Sequence, residues 1–536
     1  MATEAQDHRA QGGSQLLFWG AVGVILIFAF VWNQTAGARG FFALDQGLVM
    51  DGAWRIQQGQ VPYVDFQMPM GLVPMVLVAA FFQVLGAGFD SYLLVGSLIN
   101  VLGAWLVLQI GLWLLPDRRA WILLATLASA ICFHPAMGTP YVDQTAGLFV
   151  LVCLALLLRS KEGSRIGSRL LEFASGGAWV LAFLSKQSVA VFALAALLPL
   201  FWWGRTGPRR ILTALWMFSF GVIFAGVCLI LWLITFSDFS TFVECSFSIP
   251  GGEGARRLAE LPSIRSWLLH IPDPGPFTAF HVISLLSFAL GCIWGGARRD
   301  RNLLVLSLLG LLSTISHAML VQLANNGPYS LRTLFPLQLL ILLEVLRRVL
   351  RGLHTRSWIR TVLTGAILLL AVVCLIRSMD TAWRRRLHEP CTDANFSRSL
   401  DWPGWTSLHW AEPTRIHESR YRIDDLQGLL AWLRQQDQPF FVWPDSSFLY
   451  CALRKPSPQP LLWFHPGLTY LRRDAPKLET RILQSLQKAA VRIVIVEQNY
   501  WMQEKHILED FPGLNDWITT RFHFTRRFGP WLAYQR

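Results

Sequence analysis

A chain of 536 residues that is 53% apolar and only 15% charged cannot keep an ordinary soluble surface wet, which excludes a simple globular protein. The formal charge of +13 sits in short arginine clusters between apolar runs, where membrane topology accounts for it, so no nucleic-acid partner is expected. Eight cysteines occur singly, without CxxC or neighbouring histidine spacing, and imply neither a zinc site nor a redox pair.

Residues 1–15 carry Glu4 and Asp7 against Arg9. That is a poor leader for a signal peptide, although Ala36-Gly37-Ala38 mimics a cleavage site. The apolar run 16–32 therefore reads as a retained first helix preceded by a cytoplasmic segment. Runs at 92–115, 211–236, 302–323 and 361–377 approach or reach the ~20 residues that cross ~30 Å of hydrocarbon as helix. The clusters Arg118-Arg119, Arg159 to Arg169, Arg205 to Arg210, Arg298 to Arg301 and Arg347 to Arg360 are assigned to the cytoplasm. The turns at 134–144, 186–187, 237–276 and 325–330 then face outward, as does everything after residue 377, giving about eleven spans. The short run 71–86 would flip every later loop as a full span, so it is expected to lie at the outer interface or to insert half-way.

The pair 174–185 and 188–203 turns at Ser185-Lys186-Gln187, which sets Lys186 near the outer headgroups; snorkelling and a role in phosphate binding both stay open for it. From about 381 charged residues and prolines return and apolar runs shorten. Helices over 426–433 and 478–490 and strands over 440–443 and 491–496 predict a small α/β unit. The expected organisation is a polytopic α-helical membrane domain over 16–377, with a first outer loop at 33–91 bearing interfacial helices, and a separate extracytoplasmic α/β domain over 378–536. Cys245, Cys391 and Cys451 fall outside the spans, and a bridge between two of them is left open.

Carboxylates at the borders of apolar spans are costly and mark candidate chemistry. Three share the outer face: Asp45 just after the first helix, Asp65 after Pro62-Tyr63, and Asp143 at the start of a span in HPAMGTPYVDQ. Glycosyl transfer needs such a group, one carboxylate to take the acceptor's proton and others to hold a metal or steer the acceptor. Lys186 and Arg332, at outer turns of different hairpins, would hold a phosphate leaving group. Asp45 and Asp143 equally suit helix capping. Asp51 and Asp90 read as solvated loop residues, His134 and His317 as packed polar residues, and Glu344 as the partner of Arg347 or Arg348.

In the first outer loop Asp45-Gln46 is followed by Gly59-Gln60-Val61-Pro62-Tyr63-Val64-Asp65 and then Val84-Leu85-Gly86. With Asp143, Leu184-Ser185-Lys186, Tyr329-Ser330-Leu331-Arg332 and Pro336 in that order, the region 16–377 resembles the GT-C superfamily of polyprenyl-phosphate-sugar glycosyltransferases. Protein O-mannosyltransferases and the aminoarabinose transferases of lipid A belong to it. The resemblance implies Asp45 as the acceptor-activating base and Asp65 and Asp143 as acidic partners around the acceptor or a divalent ion (Mg, Mn or Zn). It implies Lys186, Arg332 and Tyr329 as contacts to the donor phosphate. Gln46 stands where the family has a second acid, and Gln67 where some members have a glutamate, so a metal-independent mechanism is also open. The expected function is transfer of a sugar from a polyprenyl-phosphate donor to a lipid, glycan or protein acceptor at the extracytoplasmic face of a bacterial inner membrane. A flippase for a lipid-linked substrate and a non-catalytic partner subunit are the alternatives.

Overall fold

The computed structural model describes residues 2–43, 45–68, 71–134, 138–161, 164–205, 207–259, 275–324, 333–353, 356–386, 389–390, 396, 398–410, 422–498 and 508–536. Fifteen helices run in chain order through its first part: α1 (Ala2–Gly37), α2 (Asp45–Gln57), α3 (Leu72–Leu85), α4 (Phe89–Leu114), α5 (Arg119–Cys132), α6 (Val142–Arg159), α7 (Arg165–Ser185), α8 (Gln187–Leu197), α9 (Pro208–Phe236), α10 (Phe239–Val243), α11 (Ile249–Ala259), α12 (Pro276–Arg298), α13 (Arg301–Ala324), α14 (Phe335–Gly352) and α15 (Ser357–Arg384). Among the described residues seven helices are long and apolar enough to cross a membrane, in α1, α4, α6, α9, α12, α13 and α15. The protein is thus an integral membrane protein. The remaining runs of the expected eleven also become helices, but α5 and α8 are short, and α7 and α14 carry charge at one end.

Residues of α4, α5, α6, α12, α13 and α14 interlock in one apolar core around Phe133, Phe280, Phe288 and Phe335. At one end of this bundle Glu344 accepts hydrogen bonds from Arg347 and Arg348 and lies 3.8 Å from Arg118. Arg348 also stands 3.7 Å from Asp300. Three arginine clusters, distant in sequence, are thereby gathered at the same end. Paired charges are tolerated there because each long side chain reaches water while its stem covers the helix ends.

A second core lies at the other end. It joins Phe41, Val49, Tyr63, Phe82, Phe89 and other residues of the first outer loop to Trp405, Leu430, Trp443, Phe448 and Ile493 of the C-terminal part. In that part α16 (Ile423–Gln435), α17 (Phe448–Leu453), α18 (Ala475–Lys488) and α19 (Pro512–Arg521) accompany a four-stranded sheet. Its strands β1 (Phe440–Trp443), β2 (Ile493–Glu497), β3 (His523–Phe528) and β4 (Trp531–Gln535) lie in the order β1-β2-β4-β3. Only β1 and β2 are parallel.

One expectation changes here. The loop at 33–91 and the C-terminal part share this apolar core. Within it Asp51 is not solvated, and the half-buried Asp90 is engaged by backbone. Asp51 is fully buried and receives Arg55 Nε at 2.8 Å, while the Arg55 guanidinium goes on to donate to Ser457 and to the Gln459 and Leu461 carbonyls. Asp90 accepts the backbone amides of Thr406 and Ser407 at 3.3 and 3.0 Å. The role of Asp90 is not visible in the local sequence because the amides that need its carboxylate lie more than 300 residues away, whereas Asp51 meets Arg55 one helical turn on. Asp90→Ala strands those two amides and is expected to cost about 1–2 kcal/mol, read as a lower apparent melting temperature of the purified protein.

Helix α3 buries Met75, Val78 and Phe82 in the outer core and leaves Val84 and Leu85 exposed. Cys245 and Cys451 are buried free thiols, and Cys391 lies outside the described residues.

Candidate active site

The site is assembled where α1, α2, α6 and the α7–α8 break meet beneath the outer core. Asn33, near the end of α1, donates to Ser97 in α4 and to the Gly138 carbonyl at 2.7 Å. Gly138 has φ of 67°, and a Cβ there would stand 2.1 Å from the Gly37 Cα, so only glycine lets this loop lie on α1. Tyr92 holds the next turn by donating to the Pro140 carbonyl. Gln46, almost wholly buried, accepts the Phe42 amide and donates from Nε2 to Thr139 Oγ1 at 2.8 Å. A carboxylate in its place has no N–H to give, which accounts physically for an amide at this position.

These ties bring Tyr141, in extended backbone at the N-cap of α6, to the first turn of α2, where its hydroxyl hydrogen-bonds the Asp45 carboxyl. Part of Asp45 reaches accessible surface, but its carboxyl is walled in by protein. Burial pushes its pKa up to about 6; Tyr141 and the charge of Lys186 oppose the rise, and the charge of Asp143 adds to it.

Lys186 breaks α7 from α8 with extended backbone (φ −158°, ψ 113°). The Trp179 indole donates to the Ala190 carbonyl at 2.9 Å and pins the two helices together across the break. The Lys186 side chain is buried and its Nζ stands 2.7 Å from Asp143 Oδ1. Gly71 closes this side of the site. At φ of 72° it lies where a Cβ would meet Val142 at 2.4 Å and the Ser185 carbonyl at 3.2 Å. The segment before α3 thus abuts both charged positions.

From Asp143 an apolar cavity runs between α6, α8, α13 and α14, lined by Val150, Leu154, Ala193, Leu309, Leu337 and Ile341 among others. Asp143 and Leu154 mark roughly 16 Å of α6. The wall is apolar except near its rim and for a few small polar groups such as Ser313 and Gln338.

No family model and no curated protein sequence matches the chain. Among solved structures it is similar to ArnT from Cupriavidus metallidurans in the apo state, with TM-score 0.50 and 14% identity over 98% of each chain. The chain shares the fold of that structure. The same ArnT bound to undecaprenyl phosphate aligns over 97% of this chain and 98% of that chain, with TM-score 0.49 and 13% identity. Archaeal oligosaccharyltransferase AglB from Archaeoglobus fulgidus, in complex with an inhibitory peptide and a dolichol-phosphate, aligns over 96% of this chain and 74% of that chain, with TM-score 0.43 and 10% identity.

Within this fold, three of the residues singled out from sequence come together: Asp45, Asp143 and Lys186. Asp65 does not join them through any described contact. Its exposed carboxylate accepts the Val61 amide at 2.6 Å and closes the turn at 61–65. Tyr329 and Arg332 lie outside the described residues. Glu344 makes the ion pairs expected of it, and His134 and His317 are buried in the bundle.

Tyr141 is a site residue that sequence reasoning missed, although Pro140-Tyr141-Val142-Asp143 repeats Pro62-Tyr63-Val64-Asp65 and so carries a signal. Asp445, from the loop after β1, is another. It is close enough for the Asp45 charge to act on it.

Proposed function

We propose that this chain is a membrane glycosyltransferase that moves a sugar from a polyprenyl phosphate to a lipid, glycan or protein acceptor at the extracytoplasmic face. The observation that carries the reading is the continuity of the apolar cavity with the Lys186–Asp143 pair and, beside it, a carboxyl of raised basicity. An isoprenoid tail fits a slot walled by Leu, Val, Ile and Ala, and its phosphate would then lie at the rim, where an ammonium waits. ArnT, whose apo structure shares the fold, has been crystallised with such a lipid. The arginine clusters gathered at the opposite end from the site support a cytoplasmic assignment for that end and an outer one for Asp45 and the C-terminal part. A bacterial inner membrane with the N-terminus inside belongs to the same reading.

The chemistry is one displacement. The acceptor's nucleophilic atom attacks the anomeric carbon, its proton passes to Asp45, and the bond from that carbon to the phosphate oxygen breaks with its electron pair staying on the phosphate. Lys186, an ammonium with three donors of which Asp143 engages one, stabilises the charge that grows on the leaving phosphate. Attack opposite the leaving group inverts the anomeric configuration. With its pKa raised to about 6, Asp45 remains ionised at neutral pH yet holds a proton better than an ordinary carboxylate, which suits a general base.

A divalent ion fits the described residues poorly. Among them no group of three His, Cys, Asp or Glu side chains converges. Asp65 and Asp143, the expected ligands, share no contact, and the Lys186 ammonium sits 2.7 Å from Asp143 where a cation would have to enter. We therefore assign the donor phosphate to Lys186 without a metal. Transfer should survive EDTA with less than about a twofold loss, and strict dependence on added Mg, Mn or Zn would overturn that assignment. The test of the function is to supply the reconstituted full-length protein with labelled undecaprenyl-phosphate pentoses and hexoses and a pooled acceptor of membrane lipid, envelope glycan and protein. Label is expected in product. Translocation of the donor across the vesicle without any product would replace the transferase reading with a flippase.

A further inference from the structure

The loop after β1 reaches back to the active site from the C-terminal part. Phe448, at the start of α17, packs its Cβ and amide against Gly47 in the first turns of α2, two residues beyond Asp45; a Cβ on Gly47 would meet them at 3.5 and 3.7 Å. This contact fixes Asp445, Ser446 and Ser447 over the start of α2. Ser446 is held twice, as its hydroxyl donates to Glu497 at the end of β2 and accepts the Trp531 indole N–H at 3.1 Å. Asp445 is different. Only 3% exposed, it has no hydrogen-bond partner for either carboxyl oxygen among the described residues. A buried carboxyl left without partners is costly, and nothing in the packing of the outer core requires one there.

We propose that Asp445 is an acceptor-binding residue of the same site, whose buried, unpartnered carboxyl hydrogen-bonds an oxygen of the acceptor next to the group Asp45 deprotonates. This role rests on Asp45 being the base. The ligand class is a hydroxylated or otherwise oxygen-rich acceptor, because a neutral carboxyl offers one O–H donor and recognises a lone pair.

The electrostatics agree with the placement. Burial first, and then the negative charge of Asp45, push the Asp445 pKa up to about 8, whereas Asp45 itself stands at about 6. Between those values the two acids together carry one negative charge, and burial favours keeping the proton on Asp445. Tyr141, Lys186 and Asp143 act on Asp45 and so on the pair at one remove. On α2 the Asp51–Arg55 ion pair acts on Tyr450 and Cys451 of α17, and Glu497 is engaged by Ser446. As pH rises through about 8, Asp445 ionises, loses its donor and repels Asp45, so acceptor binding weakens on the alkaline side.

Difference infrared titration of the full-length protein in nanodiscs tests the protonation directly. Wild type should show a protonated-carboxyl C=O band that persists above pH 7 and vanishes in Asp445→Asn. A spectrum identical in the two proteins overturns the proposal, whatever Asp45 does. The second readout uses the donor and acceptor found active in the transfer assay. Asp445→Asn keeps an N–H donor that does not titrate and should move the alkaline decline upward by more than about one pH unit. Asp445→Leu, which removes an unpaired buried carboxyl without leaving a cavity, should raise the acceptor KM at least tenfold while the donor KM holds. An unchanged alkaline limb in the first variant, or an unchanged acceptor KM in the second, sinks the role. Loss of the base reading shows elsewhere, as full turnover of Asp45→Asn.

Discussion

Asp45→Asn is expected to lower turnover by about two to four orders of magnitude at saturating donor, the usual contribution of a positioned general base. The amide is nearly the same size, and its oxygen still accepts from Tyr141, so the first turn of α2 keeps its place. What disappears is the site for the acceptor's proton. The donor KM should therefore change little, because the proposed mechanism has the lipid held by the cavity and by Lys186. In the wild type the rate should climb as pH rises through about 6, where Asp45 loses its proton. Both effects are read from initial rates of labelled-sugar transfer between pH 5 and 8. Turnover within about threefold of wild type, in protein shown to be correctly inserted, would remove Asp45 from the mechanism.

Lys186→Met should do two separable things. It leaves Asp143 buried without its cation, a change that costs about 3–5 kcal/mol in comparable pairs. It also strips the phosphate of its counter-charge, which is expected to cost about two to three orders of magnitude in turnover. The double variant Lys186→Met/Asp143→Leu separates them: the melting temperature should return toward that of wild type, since an apolar pair replaces a buried ion pair, while transfer stays lost. Recovery of transfer in the double variant would mean that Lys186 serves the fold alone. Lys186→Arg is expected to fall between, because a planar guanidinium keeps the charge but does not occupy the compact volume of an ammonium.

The residues legible in the sequence share a property: each is a charge set against an apolar run, where its cost makes it conspicuous. Asp45, Asp143 and Lys186 stand out for that reason, and the structure has Lys186 at the helix break where the sequence puts it. Periodicity likewise locates the strand at Phe440–Trp443 to the residue and the helices beside it within a few positions. The tetrapeptide Pro-Tyr-Val-Asp shows where such reading stops. Its second copy runs into an uninterrupted apolar stretch and opens α6, burying Asp143. Its first copy is followed by Phe66-Gln67-Met68-Pro69, cannot continue as helix, and folds into an exposed turn with Tyr63 at φ of 69°. Identical side chains thus acquire different neighbours according to the residues downstream of them. Asp445 carries no such flag, because Pro444-Asp445-Ser446 has the composition of any surface turn. The loop that holds it is seated through Phe448 on Gly47 of α2, some 400 residues earlier in the chain.

That separation governs how the protein must be made. Residues 38–93 follow directly on the first helix, yet the side chains that cover Phe41, Trp54 and Phe89 are synthesised hundreds of residues later, with ties such as Arg55 to Gln459 spanning 404 positions. Until the C-terminal part has been made, this loop has no completed core, and the candidate site beneath it matures late. A chain stopped after α15 would insert its spans and still present a greasy, unfinished loop to whatever quality control patrols that surface.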